Sequence, residues 1–170
     1  MTDMTVPLTE LLAESSIRLD ASATGRDDAI RQAGTALSDA GAVDAAYIDA
    51  MIARENSVST FVGEGVAIPH GTLSAKEWVK ADALSMIKFP AGVDWDGNRV
   101  TIAFGIAARG NGHIALLSRL ATLLMDPEKA AALRAASTAA EVYALLESED
   151  EAASAHVSKS LRKHPTEGKS

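Results

Sequence analysis

Four histidines occur in the 170 residues, and two of them stand where the chain could use them for chemistry. His70 closes the apolar part of "GEGVAIPHGT", residues 63–72. Val66 and Ile68 alternate as in a strand. Pro69 fixes its own φ and biases Ile68 toward extended backbone, so the imidazole that follows has a defined position. Gly71 lacks a Cβ and lets another group come close to the backbone. A neutral imidazole is a good nucleophile near pH 7, and one ring nitrogen can be fixed by a carbonyl. His113 follows "AARGNG" at the junction of a strand and a helix, where the N–H groups of a first helical turn attract anions. Arg54 closes a helix that leads into the His70 strand region, and a guanidinium grips phosphate oxygens through two donors at once. A nucleophilic imidazole, a second imidazole and a fixed cation are what phosphoryl transfer asks for, since that reaction needs mainly positioning and charge stabilisation.

Each residue also has a plainer reading. His70 can be a strand-end histidine satisfied by local hydrogen bonds. His113 can be a surface residue of a polar turn, and Arg54 a cation facing the negative end of its helix. The pairing of the histidines weighs against coincidence. Both follow apolar strands, and in α/β sheets ligands collect outside the carboxyl ends of strands. If those two strands are parallel neighbours, the imidazoles converge. Arg109 is a further candidate anion contact, with an exposed turn arginine as its plainer reading, and Glu64 reads as a turn residue. Trp78 and Trp95 read as packing residues, and His156 and His164 receive no role. His70 and His113 as ligands of a metal-dependent hydrolase form an alternative of another class, but no third ligand stands at a sensible spacing. No P-loop and no GxGxxG is present.

The elements that must position these residues alternate between strand and helix. A short strand is expected at 17–19. A helix follows over "TGRDDAIRQAGTALSDAG", capped by Thr24 and stopped at Gly41. A second helix, capped by Asp44, carries Tyr47, Ile48, Met51 and Ile52 on its apolar face and Arg54 and Glu55 at its end. "STFVGEGVAIPH" is strand broken by a turn at 63–65, and "SAKE" is a capping box for a short helix through Trp78. "ADALSMIKFP" and the stretch after Asp96-Gly97 are strands, the second with Val100, Ile102, Phe104 and Ile106 on one face. Helices follow from Asn111, from Asp126-Pro127 and from the capping box Thr138–Glu141. The pattern predicts one α/β domain with a central sheet covered by helices on both faces. Its expected extent is 8–147, between a flexible lead at 1–7 and a mobile charged tail at 148–170.

Composition narrows the function. The chain is 47% hydrophobic and only 4% aromatic, so its core rests on Ala, Leu, Ile and Val. A net charge of −7 without a basic run argues against binding nucleic acid or an anionic membrane. With no cysteine, disulfides, thiolate catalysis and cysteine metal sites are excluded. The first residues lack the basic and apolar regions of a signal peptide, and no stretch approaches the ~20 apolar residues of a membrane span. The expected location is cytoplasmic.

"AREN", "GEGVAIPHGT" and "FGIAARGNGHIALLSRLATLLMD" together resemble the enzyme IIA component of the sugar phosphotransferase system, in its type 2 mannitol and fructose group. The "GIAA" block with its following histidine looks most like the mannitol type. The resemblance implies a mixed sheet sandwiched between helices. It implies that His70 accepts a phosphoryl group from the histidine-containing phosphocarrier protein and hands it to a cysteine of an enzyme IIB component of a mannitol-type permease. It further implies that His113 supports the phosphorylated site and that Arg54 stabilises the phosphate. The donor is then already a phosphohistidine, so no nucleotide, cofactor or metal is expected. The chain has no cysteine and would pass the group to another polypeptide. Because it ends in its own tail, it reads as a free-standing IIA protein. An apolar patch around His70 with an acidic rim would suit a small basic carrier. A nitrogen-type regulatory protein of the same fold is the nearest alternative.

Overall fold

The two longest strands form a hairpin around which the other elements are arranged. β4 (Ala83–Trp95) and β5 (Asn98–Ala107) run antiparallel and are joined by Asp96 and Gly97. Both turn residues have positive φ, 56° and 93°. That backbone follows the twist of the strands, and Asp-Gly adopts it at least cost. The computed structural model describes residues 7–109 and 112–147, with the side chains at 73, 74, 76 and 112–115 excepted. Around the hairpin lie β1 (Leu12–Arg18), β2 (Phe61–Gly63) and β3 (Val66–Ala67), in the sheet order β1-β4-β5-β3-β2. β1 is parallel to β4 and β3 parallel to β5, while β2 is antiparallel to β3. The sheet is therefore mixed.

Helices cover both faces, as the alternating pattern requires. On one side α2 (Arg26–Asp39) and α3 (Ala46–Ser57) pack on Ala67, Ile87, Phe89 and Ala103. On the other side α4 (Gly112–Leu124), α5 (Pro127–Ala135) and a final helix, α6, over 139–147 bury Leu120, Leu123, Leu133, Val142 and Leu146. They pack against Val66, Leu84, Met86, Ile102 and Phe104, with Leu8 of the short α1 (Leu8–Leu11). The capping expectations hold at two helices. Asp126 accepts the N–H groups of Glu128 and Lys129 at the start of α5, and Thr138 and Glu141 form a reciprocal box.

Several expectations are corrected. β1 is longer than 17–19 because it pairs with β4 as far back as Leu12. Thr24 does not cap α2 with its hydroxyl. Gly25 is the N-cap, and Asp28 reaches back to accept the Thr24 N–H. Asp44 spends its carboxylate on Lys80 and not on the first turn of α3. The short helix expected from Ser74 through Trp78 is a 3-10 helix, Leu73–Trp78. Val100 leaves the face of Ile102, Phe104 and Ile106 and joins the cluster of Val93 and Trp95. The cause is a bulge. Between the pairs Lys88↔Ile102 and Val93↔Val100, four residues of β4 oppose one of β5. Pro90 sits inside that bulge, where a missing N–H does least harm.

Helix α2 approaches the sheet closely because small residues face each other. Ala29, Ala33 and Ala36 lie over Ala103, Gly105 and Ala107, and Ser85 Oγ donates to the Ala33 carbonyl at 2.8 Å. A Cβ on Gly105 would run into Ser85 Oγ and lie 3.1 Å from both Cβ and O of Ala33. Gly105→Ala should therefore destabilise the fold by about 2 kcal/mol, the cost of overpacking a close-packed contact. The urea midpoint measures it, and an unchanged midpoint would contradict this close packing.

Candidate active site

β3 and β5 are parallel neighbours, which meets the condition set for the two histidines. The register Val66↔Ile102, Ala67↔Ala103 continues past the end of β3 to an isolated pair, His70↔Ile106. The Ile106 N–H donates to the Pro69 carbonyl at 3.0 Å, which fixes the backbone on one side of His70. On the other side the Gly71 N–H donates to the Tyr47 hydroxyl at 2.8 Å, and that hydroxyl donates to the Ile106 carbonyl at 2.9 Å. Burial raises the Tyr47 phenol above its ordinary value and outweighs the lowering by the Gly71 N–H. It keeps its proton and stays a donor at neutral pH.

His70 is 7% exposed, and its Nδ1 lies 2.9 Å from the Ile68 carbonyl oxygen. A carbonyl can only accept, so Nδ1 carries the proton and, in the neutral ring, Nε2 carries the lone pair. His70 opens onto a cavity of about 350 Å³ whose wall also includes Arg54. Phe61, Val62, Ile68, Leu117 and Ala121 make most of the remaining lining apolar, with Ser59, Thr60 and Ser118 adding hydroxyls. Among the described residues no acidic side chain lines this cavity. Two acids close in sequence to the lining segments are committed elsewhere. Glu64, at the β2–β3 turn, is tied to Arg134, and Glu55 points into the core.

The end of α3 sends three consecutive side chains in three directions. Arg54 Nη1 donates to the Val58 carbonyl, and the side chain lines the cavity. Glu55, 2% exposed, accepts from the Thr60 N–H, the Thr60 hydroxyl and Trp95 Nε1. Asn56 accepts from Arg26, which also binds Asp27 and Asp96. A larger depression of about 450 Å³ opens beside Arg26, but its central arginine is already held by those neighbours.

His113 lies in the first turn of α4, directly after β5, and its side chain is outside the described residues. Arg109 is exposed, and its N–H donates to Asp82, which holds the start of the loop toward α4. His156 and His164 lie outside the described residues. Among the described residues no three His, Asp or Glu side chains are grouped to hold a metal ion, and no helix is long and apolar enough to cross a membrane. Trp95 is wholly buried and Trp78 packs at the core edge, as expected of packing residues.

Sequence reasoning missed Tyr47, Glu55 and Asp82. Tyr47 was legible only as one apolar position in a helical stripe. The group that the missing Cβ of Gly71 lets come close is Tyr47 itself. A Cβ on Gly71 would lie 2.5 Å from Tyr47 Cε1.

Known proteins share this fold. Residues 10–149 match the family model described as phosphoenolpyruvate-dependent sugar phosphotransferase system, EIIA 2. A mannitol-specific phosphotransferase enzyme IIA component of Staphylococcus aureus is 41% identical over 143 residues, 84% of this chain and 99% of that one. The crystal structure of IIA mannitol from Escherichia coli superposes with a TM-score of 0.73 at 34% identity, covering 79% of this chain and 97% of that one. The Escherichia coli IIA component in its complex with phosphorylated IIB superposes at 0.76 with 32% identity, covering 81% and 99%. The segment that carries His70, the helix end that carries Arg54 and the β5–α4 junction all fall inside the matched span, and the chain belongs to the EIIA type 2 family of the sugar phosphotransferase system.

Proposed function

We propose that this phosphotransferase carries its phosphoryl group on Nε2 of His70, taking it from the histidine-containing phosphocarrier protein and giving it to a cysteine of a mannitol-type enzyme IIB, in cytoplasmic support of mannitol or related polyol uptake. The observation that carries the reading is the 2.9 Å contact between His70 Nδ1 and the Ile68 carbonyl, at the wall of an open cavity shared with Arg54. With Nδ1 holding the proton, Nε2 attacks phosphorus. The N–P bond of the donor phosphohistidine breaks, and its electron pair returns to the donor ring. In the second step the cysteine thiolate attacks the same phosphorus, the His70 N–P bond breaks, and its pair returns to Nε2. The proton stays on His70 Nδ1 throughout, donated to the Ile68 carbonyl.

Charge on the moving group is met by Arg54. One of its five N–H donors is committed to Val58, which leaves the planar fork able to take phosphate oxygens. His113, in the first turn of α4, supplies a second donor together with the N–H groups of that turn. The apolar lining suits docking of a partner that excludes water during transfer, and Val62 adds 40% of its surface to the exposed face beside the cavity. The mannitol assignment rests on the similarity to the Staphylococcus aureus and Escherichia coli components. The unit that performs these steps is taken as residues 8–147.

His70→Ala should accept no phosphoryl group from phosphoenolpyruvate, enzyme I and the phosphocarrier protein, while the wild type gains one acid-labile group by intact mass. Arg54→Ala and His113→Ala should load on the same histidine but about a hundredfold more slowly, the usual loss when one charge-stabilising donor is removed. Wild-type loading in His70→Ala would overturn the nucleophile assignment. Wild-type rates in both supporting variants would remove their roles.

A further inference from the structure

The ladder between β3 and β5 contains a side-chain oxygen where a backbone bond belongs. The register offset is the same at Val66↔Ile102, Ala67↔Ala103 and His70↔Ile106, so the two chains run in step up to His70. In a parallel ladder the Ile106 N–H bonds to the residue before its partner, and the Ile106 carbonyl accepts from the residue after it. The first bond is present, to Pro69 at 3.0 Å. The second is replaced. The Gly71 N–H reaches the Tyr47 hydroxyl at 2.8 Å, and the hydroxyl reaches the Ile106 carbonyl at 2.9 Å. Tyr47 is 4% exposed.

We propose that Tyr47 is a positioning residue for phosphoryl transfer, its hydroxyl acting as a spacer in the β3–β5 ladder that holds the His70 backbone away from β5 and so sets the place of the imidazole at the cavity wall. The proposal rests on His70 being the phosphorylated residue. Three features support it. The bridge touches the residue immediately after His70 and the residue directly opposite it. The ring of Tyr47 fills the space a side chain at 71 would need, so Gly71 and Tyr47 form one device, with a Cβ at 71 falling 2.5 Å from Cε1 and 2.8 Å from Cζ. Because the bridge is buried, loss of the hydroxyl leaves Gly71 N–H and Ile106 C=O two outcomes. They stay unpaired at a cost, or they close on each other and draw residue 70 toward β5. Either outcome moves or loosens the imidazole, and transfer is sensitive to displacements of an ångström.

Tyr47→Phe tests this in single-turnover loading from the phosphorylated phosphocarrier protein, followed by intact mass across donor concentrations. The limiting rate should fall by about tenfold to a hundredfold. The half-saturating donor concentration should stay within about twofold, because the bridge lies beneath the docking face and acts on the chemical step. The ¹⁵N signals of the His70 ring should shift in the folded variant, which a distant stability defect would not produce. Gly71→Ala keeps the hydroxyl but drives a Cβ into the ring, and it should slow the limiting rate likewise. It carries the test alone if Tyr47→Phe folds too poorly to measure. The double variant should be no slower than the slower single one, since both act through one bridge. A wild-type limiting rate in Tyr47→Phe with unshifted ring signals, or in Gly71→Ala, would overturn the spacer role while loading at His70 stands. Loading that survives His70→Ala would overturn the His70 assignment and this inference with it.

Discussion

The pairing of residue 70 with residue 106 is the constraint on which the site depends. β3 is only two residues long, too short to hold a reactive side chain in place by its own ladder. It gains its position from β5, the central strand of the sheet, which is fixed on its other side by the long antiparallel pairing with β4. Pro69 contributes rigidity but no N–H, so the anchoring bond must run from the β5 side, from Ile106 to the Pro69 carbonyl. The strand direction follows from the same need. A parallel β3 puts its carboxyl end beside that of β5, and the next helix, α4, then starts where His70 ends.

The second anchor is a buried carboxylate. Glu55 is taken out of water in a region otherwise built from apolar side chains, a costly placement unless the charge is fully hydrogen-bonded. Three donors meet it, two from Thr60 and one from Trp95. These donors join the end of α3 to the segment before β2 and to the far end of β4. The segment so held supplies Ser59, Thr60, Phe61 and Val62 to the cavity, and it holds the Val58 carbonyl that Arg54 touches. The guanidinium and the apolar lining are thus fixed by one inward-facing group that never meets the cavity.

Much of this was legible in the sequence because it is written in local patterns. Asp96-Gly97, Asp126-Pro127 and the Thr138–Glu141 box are short-range signals, and the structure uses them as read. The family blocks include Arg54, His70, Leu117, Ser118 and Ala121, which line the candidate cavity. What stayed hidden depends on contacts between segments far apart in the chain. The bulge that turns Val100 to the other face arises from the pairing of β4 with β5, which periodicity in either strand alone does not encode. Thr24 and Asp44 have good capping chemistry, but tertiary geometry gave the cap of α2 to Gly25 and the carboxylate of Asp44 to Lys80. Tyr47 shows the limit most plainly. Its ring obeys the apolar stripe of α3, while its hydroxyl serves residues 24 and 59 positions away.

A carrier has a different requirement from a hydrolase or a tight phosphate binder. Its phosphorylated state must be stable enough to meet the acceptor and unstable enough to give the group up. The described site is consistent with that balance under the proposed mechanism. The His70 ring, the proposed nucleophile, is fixed firmly through Ile68, Ile106 and the bridge at Gly71, which in that mechanism sets the geometry of attack before a partner arrives. The cation is fixed lightly, with a single backbone contact at the edge of an open cavity. In water such a half-buried cation at an open cavity stabilises an anion only weakly. Covering the apolar lining lowers the local dielectric and strengthens the same contact without adding a residue. Stabilisation of the moving charge then rises when a partner docks and falls when it leaves, which favours transfer between proteins over loss of the group to water.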